Sequence, residues 1–128
     1  MKLPFTDLRR QYLAVERELK ARIENVLIHG QYIMGPEVQE LEEALRVFIG
    51  SKHCITVSSG TDALLISLMA LGIEPGDEII TTPYSYIATV EVIVRLGAKP
   101  VFADIKKDSF NIDIDQIQSK LTSKTKAI

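Results

Sequence analysis

The sequence has one cysteine, no tryptophan and two histidines, and neither sign of charge prevails. Each shortage excludes something. A formal net charge of -2, with 25% charged residues, offers no field that would draw nucleic acid or an anionic membrane. Charge or glycine interrupts every apolar run before it reaches the length of a membrane span. The opening MKLPFTDLRR lacks the apolar stretch of a secretory signal. His29 and His53 stand far apart with no companion motif, so both read as structural or surface residues and no metal site is expected. Cys54 lies in an apolar stretch, where a lone thiol reads as a buried core residue in a reducing compartment. There is no internal repeat, no low-complexity segment, no GxGxxG and no phosphate loop bearing a lysine. The expectation is a cytoplasmic protein whose 46% apolar content suffices for a packed core.

What is present has two rhythms. From Asp7 onward Leu8, Tyr12, Val15, Leu19, Ile23, Val26 and Leu27 follow one helical stripe, with Asp7 as N-cap and Gly30 as stop. A second helix is expected from Pro36 to Gly50, burying Val38, Leu41, Leu45 and Phe48, after a loop HGQYIMG. Residues 1–50 thus form an N-terminal helical segment. After Gly50 the period changes. HCITVSS, GDEIITT and KPVFADI read as strands near 54–58, 78–82 and 100–104. TDALLISLMALG, YIATVEVIVRLG and a stretch over 113–121 read as helices, and KTKAI as the first residues of a fourth strand.

Strand–helix alternation over 51–128 predicts an α/β domain with a mostly parallel sheet, the strands near 78–82 and 100–104 pairing in parallel. The strands are nearly all apolar, as they must be when helices cover both faces. Ile128 falls inside an apparent strand, so the α/β domain is expected to be incomplete and the sequence to be the N-terminal part of a longer protein.

The segment VSSGTDALLISLMALG, 57–72, places a turn between a strand and a helix. The first turn of a helix has N–H groups without internal partners and a partial positive charge, so such a turn accepts phosphate. Gly60 leaves room for a ligand to approach the backbone, and Ser58, Ser59 and Thr61 add hydroxyls. The same residues are also ordinary caps. On this segment alone capping is the stronger reading, and the Asp62 charge would have to point away from a phosphate.

A second cluster, TTPYSYIATVEV over 81–92, follows the next strand. Ligands of open α/β sheets bind beyond the carboxyl ends of the strands, where an aromatic can stack on a flat ring. Tyr84 and Tyr86 are the candidates; taken alone, packing over the helix start is the simpler role for either. Two such turns in successive units, one suited to phosphate and one to a planar ring, point together to a phosphorylated aromatic cofactor.

In PFTDLRRQY, GQYIMGPEVQELEEAL, SSGTDALLISLMALGIEPGDEIITTPYSYIATVEVI, GAKPVFADI, FNIDID and TSKTKAI, the chain resembles the N-terminal part of the DegT/StrS family of nucleotide-sugar aminotransferases. The resemblance runs through nearly the whole chain, and SSGTDAL and GDEIITTPYSYIAT are its most diagnostic pieces.

It implies the N-terminal part of a fold type I large domain, preceded by two helices, with pyridoxal 5'-phosphate (PLP) as cofactor. Gly60 and Thr61 match residues that hold the cofactor phosphate, and Tyr86 matches the aromatic that stacks on its ring; Tyr84 falls two residues too early. Tyr32, in GQYIMG, lies where family members approach the sugar nucleotide, although an anchoring role in the core fits it equally well. The implied reaction moves an amino group from an amino acid, commonly glutamate, to a nucleotide-linked keto sugar, in a homodimer.

The family's Schiff-base lysine, and the aspartate that pairs with the pyridinium nitrogen, lie beyond the last residue of this chain. Lys52, Lys99, Lys106 and Lys107 lie in turns or at strand ends and read as solvated charge. No catalytic residue is therefore expected here, and the chain alone is expected to be inactive. In folds of this type later strands separate the first strand from the next three, so HCITVSS is expected to find no neighbouring strand while the other three pair. A non-catalytic sensor with the same fold, or an unrelated α/β nucleotide-binding domain, are the alternatives; the second expects a glycine fingerprint that is absent.

Overall fold

A computed structural model describes residues 5–128. They form two compact units, one ending at Thr56 and the other running from Val57 to Ile128.

The first unit is helical, and its helix boundaries follow from local chemistry. In α1 (Leu8–His29) the Asp7 carboxylate accepts from the N–H of Arg10 at 3.0 Å, satisfying one of the first-turn donors. Gly30 stops the helix at φ 67°, a left-handed conformation that glycine adopts without strain. In α2 (Pro36–Ile49) proline stands at the first position, where its missing N–H costs nothing, and Gly50 closes the helix at φ 73°. Arg22 and Glu40 join the two helices through a bidentate pair, with one contact at 2.8 Å.

The burial expected of these helices is not found. Neither helix has a fully buried residue; Val38 and Leu45 are half-buried, while Leu41 is 50% and Phe48 88% exposed. A periodic stripe shows that a helix can bury one face. It does not supply the layer that covers it. Cys54 is likewise half-buried rather than buried.

The strand expected at 54–58 is also absent. Residues 51–59 run without helix or strand and join no ladder among the described residues. An extended segment becomes a strand only when a neighbour completes its hydrogen bonds. Here the Glu42 carboxylate of α2 takes over part of that role, accepting from both the N–H and the hydroxyl of Thr56 at 2.8 Å.

The second unit has the alternation read from the sequence: α3 (Gly60–Ala70), β1 (Glu78–Thr81), α4 (Ala88–Arg95), β2 (Lys99–Phe102), α5 (Ile114–Lys120) and β3 (Thr125–Ala127). The strands lie in the order β2-β1-β3, all parallel, with Glu78 opposite Lys99 and Thr81 opposite Phe102. Ile79 and Ile80 point to opposite faces of β1, and both are buried, as a central parallel strand requires. Ile73, Ile79, Val92, Ile93 and Ala98 make the core cluster, with Leu65, Leu68, Leu96 and Ala127 packed on it.

Glu78 is the one charged side chain buried among the described residues, and it is fully engaged. It accepts from the Thr122 hydroxyl at 2.7 Å and from Lys99 Nζ at 3.0 Å, and these bonds hold its carboxyl below the usual carboxylate range. Because Thr122 precedes β3 and Lys99 opens β2, this carboxylate ties both outer strands to the start of β1.

Candidate functional site

The start of α3 carries Gly60 and Thr61. Ser59 is the N-cap, in extended conformation. Its hydroxyl accepts from the N–H of Asp62 at 3.1 Å and its carbonyl from that of Ala63 at 3.0 Å. The N–H groups of Gly60 and Thr61 donate to no acceptor among the described residues. These two free donors lie at the positive end of the helix dipole. A Cβ added at Gly60 would meet nothing within 4 Å, so the space above its backbone is open. Two aligned free donors beside open space can take an anionic oxygen.

The flanking hydroxyls are arranged differently from the sequence reading. Both Ser58 and Ser59 donate to the Asp62 carboxylate, the Ser59 contact at 3.1 Å. These two bonds, that of Ser58 first, keep the Asp62 carboxyl below its ordinary range. The serines therefore hold the carboxylate, and the backbone donors of the turn are what remains open.

Tyr84 and Tyr86 sit in the loop between β1 and α4. The Tyr84 ring lies 6.0 Å from that of Phe110, tilted by 32°. Tyr86 is 77% exposed and has no aromatic partner among the described residues; its carbonyl accepts from the N–H of Thr89. Of the two rings, that of Tyr86 is the one free to meet a flat ligand. Phe110, with φ 58°, is a partner for Tyr84 that sequence reasoning missed, since nothing local marks a contact between two loops.

Gly60 and Thr61 are neighbours, and Tyr86 is a loop of the same unit; Tyr32 belongs to the other unit, in the loop between α1 and α2, and is 67% exposed. Of the lysines read as solvated, Lys99 reaches Glu78, and Lys106 lies near Asp113 and Asp115 at 3.9 and 3.7 Å. No helix among the described residues is long and apolar enough to cross a membrane. No group of three or more histidine, cysteine or acidic side chains among them could hold a metal ion.

Comparison with known proteins gives a consistent picture. The DegT/DnrJ/EryC1/StrS aminotransferase family matches over residues 14–128. A UDP-2-acetamido-2-deoxy-3-oxo-D-glucuronate aminotransferase of Pseudomonas aeruginosa is 48% identical over 98% of this chain and 35% of its own length. A protein of Geobacillus stearothermophilus named pleiotropic regulatory protein is 41% identical over 100% of the chain and 34% of its own. Among solved structures, ntda of Bacillus subtilis with bound cofactor PMP superposes with a TM-score of 0.87 at 34% identity, over 97% of this chain and 29% of that one. The chain thus spans about a third of the length of the curated relatives it matches. The α/β class expected from the sequence, a partial fold type I domain, is the observed one.

Proposed function

Because this chain belongs to the DegT/DnrJ/EryC1/StrS aminotransferase family, we propose that it is the phosphate-holding part of a PLP-dependent sugar aminotransferase. The whole protein passes an amino group from an amino acid, glutamate in our reading, to a keto sugar carried on a nucleotide. One observation carries the assignment: the N–H groups of Gly60 and Thr61 are free beside open space at the start of α3. The ntda structure, which holds PMP, supports a pyridoxal cofactor for this fold. PLP supplies the electron sink that makes amino transfer feasible.

The residues of this chain bind and orient. Gly60 and Thr61 donate from the backbone to the cofactor phosphate, and the Thr61 hydroxyl adds a third bond. The exposed ring of Tyr86 stacks on the pyridine. Tyr32 meets the sugar nucleotide. No lysine lies in 57–63 or 82–87, so the reading assigns no proton-transfer group to these turns, and the 128-residue chain alone is inactive. The whole protein is a cytoplasmic homodimer, and the helical segment 1–50 and the α/β segment 51–128 are its first two divisions.

The name of the Geobacillus relative favours a second reading, a regulator that keeps the fold without the reaction. The test uses the full-length protein with PLP, glutamate and nucleotide-linked keto sugars. Conversion of PLP to its aminated form by glutamate supports the enzyme, and binding without conversion supports the regulator. In the same protein Thr61→Ala weakens PLP binding by about 1–2 kcal/mol, the worth of a hydrogen bond to a charged group. Unchanged affinity would reduce Thr61 to a helix residue.

A further inference from the structure

The loop between α1 and α2 presents Tyr32, Ile33 and Met34, which are 67%, 88% and 59% exposed. Three consecutive exposed apolar side chains are not what a simple connection contains. The backbone beneath them is nevertheless tightly determined. Gly30 and Met34 both have left-handed φ, 67° and 52°, and for Met34 that is an unusual conformation. Gly35 is buried, and a Cβ there would come within 2.3 Å of the Gln31 carbonyl oxygen, so the loop folds back on its own start.

His29 closes the arrangement. The N–H of Gln31 can only donate, so Nδ1, at 3.0 Å, is its acceptor. The proton of the neutral ring is then on Nε2, which faces both oxygens of Glu37 at 3.1 and 3.2 Å. Glu37 stands in the first turn of α2. One half-buried imidazole thereby joins the last turn of α1, the loop backbone and the first turn of α2. Arg22 of α1 and Glu40 of α2 form the neighbouring charge pair.

We infer that His29 is a positioning residue: its Nδ1 fixes the 30–35 loop so that Tyr32 is presented ready-made to the nucleotide part of the substrate. The inference rests on the assignment of Tyr32 to the sugar nucleotide. Ordering the loop in advance removes an entropy cost from binding. Among replacements, asparagine puts an acceptor near the place of Nδ1, glutamine puts a donor near that of Nε2, and leucine provides neither.

The test is made in the full-length protein with UDP and dTDP as nucleotide probes. Hydrogen exchange of the 29–35 peptide is followed alongside. His29→Leu and His29→Gln are expected to speed exchange in this peptide. Both are also expected to weaken probe binding about fivefold, the loss of one ordinary hydrogen bond, while His29→Asn stays near wild type. In the overall reaction the same two variants raise KM and leave kcat unchanged. A merely structural histidine would lower stability in all three variants without separating Asn from Gln. If Tyr32→Ala weakens the probe while His29→Leu and His29→Gln do not, this inference alone falls. If Tyr32→Ala leaves affinity unchanged, or neither nucleotide binds the wild type, the substrate role of Tyr32 falls and takes the inference with it.

Discussion

The two units of the chain use apolar residues in opposite ways. In the second, Ile80, Val92 and Ile93 are almost fully enclosed, and α3 and α4 share one core cluster with the sheet. In the first, α1 and α2 are longer than any helix of the second unit, yet neither buries a residue completely. The contrast teaches that helix formation and helix burial are separate problems. Caps, glycine stops and proline placement settle where a helix runs. Only a second layer decides what it hides.

Mutations in the 128-residue chain sharpen this contrast. Ile93→Ala should have the largest effect, a destabilisation of the second unit by about 2–5 kcal/mol in urea unfolding, because it empties a filled position. A cost as small as that of a surface change would mean the cluster is not the core. Glu78→Gln should act less strongly and with a pH signature. The Glu78 carboxyl is held below its unfolded value by Thr122 and Lys99. Its contribution is therefore present above the unfolded pKa of about 4.3 and disappears as pH falls through the folded value. The stability gap between wild type and variant should narrow on acidification below that range; a gap independent of pH would remove the carboxylate from the account. Phe48→Ala should matter least, within about 0.5 kcal/mol, because its ring is already 88% exposed. A core-sized loss there would show that the helical unit has a hidden partner.

What could be read in advance divides along the same line. Asp7, Gly30, Pro36 and Gly50 mark the helix ends to the residue, because each acts on its own neighbours. The parallel pairing of β1 with β2 was legible too, since a helix of the length of IATVEVIVRLG makes a crossover. HCITVSS has strand composition but no ladder, and composition carries no information about a neighbour; only the family resemblance predicted that it would lack one. The open donors of Gly60 and Thr61 were readable from the glycine and the helix start that follows it, although the strand expected before them did not form. The capture of Ser58 and Ser59 by Asp62 was not, because a hydroxyl beside a helix start can face ligand, backbone or carboxylate with equal ease. The double engagement of His29 was missed because it depends on how the chain returns at Gly35, a close approach that leaves no periodic trace.

The central claim is that free backbone donors at the start of α3 hold the cofactor phosphate. Gly60→Pro tests it most directly. Proline at the first helical position deletes one N–H and leaves the helix intact, and the extended Ser59 before it suits a following proline. Gly60→Ala, which keeps the N–H but puts a Cβ into the space offered to the ligand, separates the steric part of the loss from that of the donor. In the full-length protein the account predicts that Gly60→Pro weakens PLP binding by about tenfold or more beyond Gly60→Ala, the value of a hydrogen bond to a charged group, at unchanged thermal stability. Equal PLP affinity in wild type and Gly60→Pro would contradict it.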